Sequence, residues 1–249
     1  MQKMQSFAKS AVRNSDMPNN LIIGIVIADE GEYAPILPYV EKNGGCEHPL
    51  GGYTGHKFTI GDMEFRALLC GVGKANASAA TAYLIADGAD VIANIGLSGG
   101  INNVCRGELI VGTEFTEHDF DLTVFGYGVS EKPGEGSVKY GSEYLNSLFT
   151  STYSEIKSGK FVSGDMFISE EKIRDRLRDE YKATACDMES AAIAYITAIA
   201  KIPFVSLRRI SDDAGENATG VYREMYHLRE SNLVDVLLEI CVKIEREKL

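Results

Sequence analysis

No two cysteines in the chain are spaced as Cys-x-x-Cys, and the five present, at 46, 70, 105, 186 and 241, are odd in number. That excludes a disulfide framework as the organising device and leaves reduced thiols in a cytoplasm as the economical expectation. The four histidines, at 48, 56, 118 and 227, show no metal-ligand spacing among themselves or with the cysteines, so neither a metal nor a cofactor is expected. There is no Lys/Arg run, and 36 acids against 25 bases give a net charge of -11, a balance that argues against a polyanion and hence a nucleic-acid partner. The segment Met1 to Asn20 holds no apolar stretch long enough for a signal peptide, and nothing reads as a membrane span. It is expected to be a flexible extension ahead of one domain over residues 21–249. No internal repeat is evident.

What is present suits a globular enzyme-sized chain of 249 residues, 45% hydrophobic and 24% charged. Leu21 to Ala28 is a continuous apolar run of strand length, the pattern of a strand buried on both faces. Acids follow at Asp29-Glu30-Gly31-Glu32, and Pro35 to Val40 reads as a first helix. Lys57 to Ile60 and Phe65 to Cys70 form a hairpin about Gly61-Asp62. Gly71-Val-Gly-Lys-Ala-Asn76 then opens a helix to Ala86. The third glycine of a dinucleotide-binding fingerprint is missing there, which argues against a Rossmann cofactor site. Asp90 to Ile95 is a buried strand running into Gly96-Leu-Ser-Gly-Gly100, where a ligand could approach backbone amides.

Leu109 to Thr113 supplies another strand, and the aromatic segment 116–127 loosens through Gly128 to Gly136 into a lid, an interface arm or a surface connection. Further helices are expected over 142–149 and 170–180, with a strand near 160–163 between them. After Cys186-Asp187-Met188-Glu189 comes an apolar helix over 191–200, then a strand ending at Arg208-Arg-Ile-Ser-Asp212, then one long amphipathic helix over 222–245. Alternating buried strands and helices imply a single three-layer α/β/α domain with a mixed, twisted central sheet. Cys186 beside Asp187 is a poor nucleophile, because a neighbouring anion raises a thiol's pKa.

Three acids stand at strand ends, Glu32, Glu189 and Asp212. Glu189 has two readings on local grounds, a favourable acid at a helix N-terminus or a ligand-facing carboxylate. Convergent carboxylates are what cleavage of a glycosidic bond needs: one acid protonates the leaving group and another activates water.

The ordered set Ile23-Gly-Ile-Val-Ile-Ala28 followed by acids, Gly71-x-Gly-Lys74, Asn94-Ile-Gly-Leu-Ser-Gly-Gly100, Ser163-Gly-Asp-Met-Phe167, Asp187-Met-Glu189 and Arg208 to Asp212 resembles the purine nucleoside and uridine phosphorylase superfamily. Within it the chain is similar to the bacterial 5'-methylthioadenosine/S-adenosylhomocysteine nucleosidases. The resemblance implies that Asp212 donates a proton toward N7 of the purine, with Ser211 orienting it. It further implies that Glu189 grips the ribose hydroxyls with Met188 against the sugar, that Glu32 orients the attacking water, that Phe167 stacks on the base, that the Ile168 backbone reads its edge, and that Arg208 supports the site.

Phe125, Tyr127 and Pro133 resemble an arm that covers the ligand of a neighbouring subunit, implying a homodimer. Leu97 stands where a serine is usual and Tyr222 where a phenylalanine is, so the 5' substituent is open. Phosphorylases of the superfamily carry phosphate-binding arginines where this chain has the Asp29–Glu32 loop and Asn94, and a phosphate dianion would meet anions there. Hydrolysis is therefore expected. A nucleosidase for a futalosine, a purine nucleoside phosphorylase and a non-catalytic nucleoside-binding protein are the alternatives.

Overall fold

The computed structural model describes residues 20–228 and 232–249; all but the last residue of the expected N-terminal extension lies outside them. Its strands are β1 Leu21–Ile27, β2 Cys46–Glu47, β3 Thr54–Ile60, β4 Met63–Leu69, β5 Val91–Gly100, β6 Leu109–Glu117, β7 Lys139–Tyr140, β8 Lys157–Ser163, β9 Ala185–Asp187 and β10 Phe204–Asp212. Its helices are α1 Glu30–Tyr33, α2 Leu37–Lys42, α3 Lys74–Ala86, α4 Glu143–Thr152, α5 Glu171–Tyr181, α6 Ser190–Ala200, α7 Ala218–Leu228 and α8 Asn232–Cys241.

β1 explains the architecture. Ile23, Ile25 and Ile27 point into a cluster shared with Val40 of α2, Phe149 of α4 and Leu237 of α8, while Val26 points into another with Ala80 and Leu84 of α3 and Ile193 of α6. Side chains of a strand alternate between faces, so an unbroken apolar run must be covered on both. Two helical layers follow from that, and the domain is α/β/α with a mixed sheet. β1 runs parallel to β4 and β5, and β4 returns antiparallel to β3 across the two-residue turn Gly61-Asp62. Gly61 sits at φ +59°, which a glycine adopts without the Cβ penalty.

The sheet does more than extend. β5 pairs with β10, β10 with β6, β6 with β8, β8 with β9, and β9 returns antiparallel to β5, closing a ring of five strands beside the open flank β1-β4-β3-β2. β5 runs five residues beyond Ile95, where the apolar pattern from Asp90 ends, because its glycine-rich end stays paired to both β10 and β9. The glycines are required by what packs on them: a Cβ at Gly96 would lie 2.9 Å from Glu32 Oε1 and one at Gly99 3.0 Å from Cys186 Sγ. Of the single closing helix expected over 222–245, the described residues show α7 and α8 on either side of residues 229–231, which lie outside the description, and the two have different neighbours. α7 packs on α1 and β10 near the strand ends, and α8 packs on β5, β10 and α4 in the outer layer. No helix among the described residues is long and apolar enough to cross a membrane.

Candidate active site

Glu32, Glu189 and Asp212, far apart in sequence, meet at the carboxyl ends of β1, β5, β9 and β10 around a cavity of about 590 Å³. This is where open α/β sheets bind ligands, since the strand ends leave backbone groups and turn residues facing one crevice. Each acid is held differently.

Glu32 lies in the single turn of α1, and Oε1 accepts a hydrogen bond from Leu97 N at 2.7 Å. Burial pushes its pKa up to about 8, with Glu189 and Asp29 adding to the rise and Arg208 and the Leu97 N–H opposing it.

Glu189 occupies the N-cap position of α6 without capping it. The N–H groups of Glu189 and Ser190 both donate to Asp187 Oδ1 at 3.0 Å, and Ala191 N donates to Ser163 Oγ at 2.9 Å. Ser163 in turn donates to Asp187 Oδ1 at 2.5 Å. The orphan amides of the helix start are thus satisfied by Asp187 and Ser163. Glu189 turns the other way: Oε1 accepts from Gly73 N at 3.0 Å and Oε2 from Arg208 Nη2 at 3.4 Å. Of the two local readings, the helix-capping one belongs to Asp187 and the pocket-facing one to Glu189. Burial raises the Glu189 pKa and Arg208 opposes the rise.

The Gly71-Val-Gly73 turn therefore serves a carboxylate of the chain itself, which a dinucleotide phosphate would have to displace. The next amide, Lys74 N, is taken by Asp165 Oδ1 at 2.8 Å, and Lys74 Nζ by Asp119 at 2.5 Å and Glu117 at 3.1 Å. Asp119 Oδ2 accepts from Asp165 N at 3.0 Å. These bonds tie the start of α3 to the end of β6 and to the loop after β8 that carries Phe167.

Arg208 is a fully buried β10 side chain. Its guanidinium reaches Asn94 Oδ1 at 2.6 Å, Asp187 Oδ2 at 3.2 Å, Glu189 Oε2 at 3.4 Å and Leu97 O at 3.3 Å. Three different strand ends are locked by one planar cation. Asp212, buried at the end of β10, accepts from Ala214 N at 2.8 Å through Oδ1 and contacts Ser211 Oγ at 2.6 Å through Oδ2. Ser211 Oγ is also 3.1 Å from Ser98 O. A hydroxyl has one proton, so when Ser211 donates to Ser98 O it accepts from a protonated Asp212, and when Asp212 is ionised it donates to it. Burial raises the Asp212 pKa, against the lowering effect of the Ser211 and Ala214 donors.

The cavity is also lined by Phe167, Ile168, Met188, Leu97 and Tyr222. Phe167 is half exposed over its mouth and meets Tyr222 edge-on, ring centroids 5.5 Å apart, while Ile168 is buried beneath. Phe125 and Pro133 do not line this cavity; both are exposed on the 120–136 segment, Phe125 at 75%. Sequence reasoning passed over Asp187 as a structural anchor, the role of Gly73, and further lining residues, among them Val72 and Met166; it noted Asp29 only as part of the acidic loop after the first strand. The Gly73 role had a readable signal in the missing third glycine, but its partner is 116 residues away. Cys186, in the wall, has its thiol pKa raised by burial and by Asp212 and Asp187, as the neighbouring anion implied. No group of side chains among the described residues could hold a metal ion.

A mixed sheet closed on itself with acids at its strand ends defines a recognised class. The model of the Phosphorylase superfamily matches residues 22–242, and the chain belongs to that superfamily. It is similar to the 5'-methylthioadenosine/S-adenosylhomocysteine nucleosidase of Staphylococcus carnosus, 32% identical across 88% of this chain and 98% of that one. It is also similar to the aminodeoxyfutalosine nucleosidase of Campylobacter jejuni, 28% identical across 89% of this chain and 99% of that one. The fold superposes with a TM-score of 0.85 on the 5'-methylthioadenosine/S-adenosylhomocysteine nucleosidase of Helicobacter pylori solved with butyl-thio-DADMe-Immucillin-A, at 28% identity over 91% of this chain and all of that one. The resemblance drawn from the sequence motifs is borne out.

Proposed function

We propose that the chain is a purine nucleosidase that hydrolyses the N-glycosidic bond of 5'-methylthioadenosine, S-adenosylhomocysteine or both, releasing adenine and the thioribose. The observation that carries hydrolysis over phosphorolysis is the state of Arg208. It is the one cation among the described residues lining the cavity, and both of its Nη groups already serve Asn94, Asp187, Glu189 and Leu97, leaving only the Nε–H without a partner. A phosphate dianion would enter among carboxylates with no cation to meet it, at a cost in a poorly solvated pocket that a neutral water avoids.

In the reaction the C1'–N9 bond breaks and a C1'–O bond to water forms. The base departs with electron pairs that Asp212 neutralises by giving its proton to N7, and the sugar passes through a cationic, oxocarbenium-like state. Burial keeps that proton on Asp212 nearer neutrality, and the Ser211 hydroxyl swings from Ser98 O to the new carboxylate. Glu189 accepts from the ribose hydroxyls and, with Glu32, faces the growing positive charge. Glu32 in its ionised form takes the proton of the attacking water. Phe167 stacks on the base, the Ile168 backbone reads its edge, and Met188 lies against the sugar.

The 120–136 segment, with Phe125 and Pro133 exposed, is proposed to cover the cavity of a second copy of the chain in a homodimer. Cytoplasmic action fits the free thiols. A second reading, cleavage of an aminodeoxyfutalosine, is favoured by the Campylobacter relative, whose identity to this chain is close to that of the Staphylococcus one.

The deciding experiment incubates the purified protein with 5'-methylthioadenosine, with and without phosphate, and separates the products by chromatography. Adenine and free methylthioribose in both reactions is the expected result. A sugar 1-phosphate formed only with phosphate would overturn hydrolysis, and adenine in neither reaction would remove this substrate.

A further inference from the structure

Five carboxyl side chains line the cavity, those of Asp29, Glu32, Asp187, Glu189 and Asp212. Asp187 anchors α6 and Arg208, and Glu32, Glu189 and Asp212 are taken up by the proposed reaction. Asp29 touches none of the reacting groups in it, and its charge adds only the smallest of the effects that raise the Glu32 pKa. Oδ1 caps α1 by accepting from Gly31 N at 2.7 Å, and Oδ2 has no hydrogen bond or ion pair with any described residue.

The order of the strands says which part of a ligand would meet it. β4, β1, β5 and β10 lie side by side. Asp212 ends β10, Asp29 follows β1 and Val72 follows β4. Asp29 is therefore two strand spacings, about 10 Å, from the acid that serves the base. A nucleoside with its base against Asp212 and Phe167, and its ribose on Glu189 over the end of β5, carries its 5' substituent to the far end of the cavity, where Asp29 and Val72 stand. Arg208, the only cation in the lining among the described residues, has both Nη groups committed elsewhere, so the field there is negative.

We infer that Asp29 is a specificity-determining residue that selects nucleosides whose 5' substituent carries an ammonium group. Val72 supplies an apolar wall for the thioether and methylene part of such a tail, and Asp29 Oδ2 accepts from its cationic end. This rests on the nucleosidase reading for the direction in which the ligand lies.

The test compares two substrates of the same shape, 5'-(3-aminopropylthio)-5'-deoxyadenosine and 5'-butylthio-5'-deoxyadenosine, which differ by an ammonium in place of a terminal methyl. kcat/KM is measured for both with the wild type and with Asp29→Asn, whose amide oxygen still caps Gly31. The ratio of amine to butyl substrate is expected to fall about fivefold in the variant, the size of a partly exposed charge contact, while the butyl value stays within about twofold. A ratio unchanged by Asp29→Asn overturns the inference, and so does an equal loss on both substrates, which would mark Asp29 as a structural cap alone. If the wild type cleaves neither, the hydrolase reading falls. The same ratio is then read from dissociation constants by calorimetry, where the fivefold change still supports Asp29 and its absence, or no binding of either, overturns it.

Discussion

Replacing Glu32 by glutamine isolates the energetic cost of holding a carboxyl in the pocket wall. The amide keeps the shape and can still accept from Leu97 N through its oxygen. The folded-state pKa of Glu32 is raised from 4.5 to about 8, so between those values the unfolded chain has lost a proton that the folded chain retains. The folded state binds more protons there, and stability must fall as pH rises. The effect is absent below about 4.5, accumulates up to about 8 and is constant above. The full separation corresponds to about 5 kcal/mol at 1.36 kcal/mol per pH unit. Glu32 keeps some exposure to the cavity, and solvent screening trims this to about 2–3 kcal/mol.

Chemical denaturation of wild type and Glu32→Gln at pH 5, 7 and 9 measures it, because titrating groups that do not interact with Glu32 cancel in the difference. The variant should nearly match the wild type at pH 5 and exceed it by about 2–3 kcal/mol at pH 9. A gap constant across the range would refute the raised pKa. The same titration governs activity: Glu32 must be ionised to accept the water proton, so the rising limb of the wild-type kcat/KM profile should follow Glu32 toward about 8, while the Asp212 proton, held on by burial, sets the opposing limb. Glu32→Gln should lack the climbing limb.

Asp212→Asn keeps an acceptor for Ala214 N but has no proton to give, and kcat should fall roughly 10²- to 10⁴-fold with KM little changed in steady-state assays. Gly73→Ala places a Cβ 3.0 Å from Asp165 Oδ1 at φ +98°; it should cost about 1–3 kcal/mol in denaturant titrations and lower kcat by turning the Gly73 N–H away from Glu189. If the 120–136 segment covers a second copy's cavity, Phe125→Ala and Asp212→Asn should each be impaired alone. After unfolding and refolding together, hybrid dimers should restore about a quarter of wild-type kcat/KM, since half the dimers carry one intact site of two; no recovery would place that segment outside the neighbouring cavity.

The parts of the fold that sequence made legible are those whose cause is local. The unbroken run Leu21 to Ala28 announces a strand covered on both faces, and Gly61-Asp62 between two short strands announces a hairpin; both are found. The continuation of β5 through Gly96 to Gly100 was hidden because its pairing partners, β9 and β10, lie about 90 and 110 residues further on, and glycines have no intrinsic preference for strands. The closure of five strands into a ring was hidden for the same reason. The long amphipathic stretch over 222–245 kept helical periodicity throughout, so nothing in the pattern told that its first part, in α7, packs near the site and its last part, in α8, packs in the outer layer.

The candidate site was legible as a set of acids but not as a division of labour among them. Asp187 and Glu189 are the same chemical group two residues apart at the mouth of one helix. Local propensity favours either as the acid that satisfies the helix amides. What separates them is reach and geometry. The shorter Asp187, at the end of β9, is placed so that one oxygen takes the Glu189 and Ser190 N–H groups and the other faces Arg208. With the amides satisfied from behind, the longer Glu189 is free to extend into the cavity, where Gly73 N and the same Arg208 fix both of its oxygens. An aspartate at 189 would fall short of Gly73, and a glutamate at 187 would crowd the turn it caps. The order Asp-Met-Glu thus carries the information, with the short acid holding the helix and the long acid turned toward the ligand, and that reading becomes available only once the positions of Gly73 and Arg208 are known.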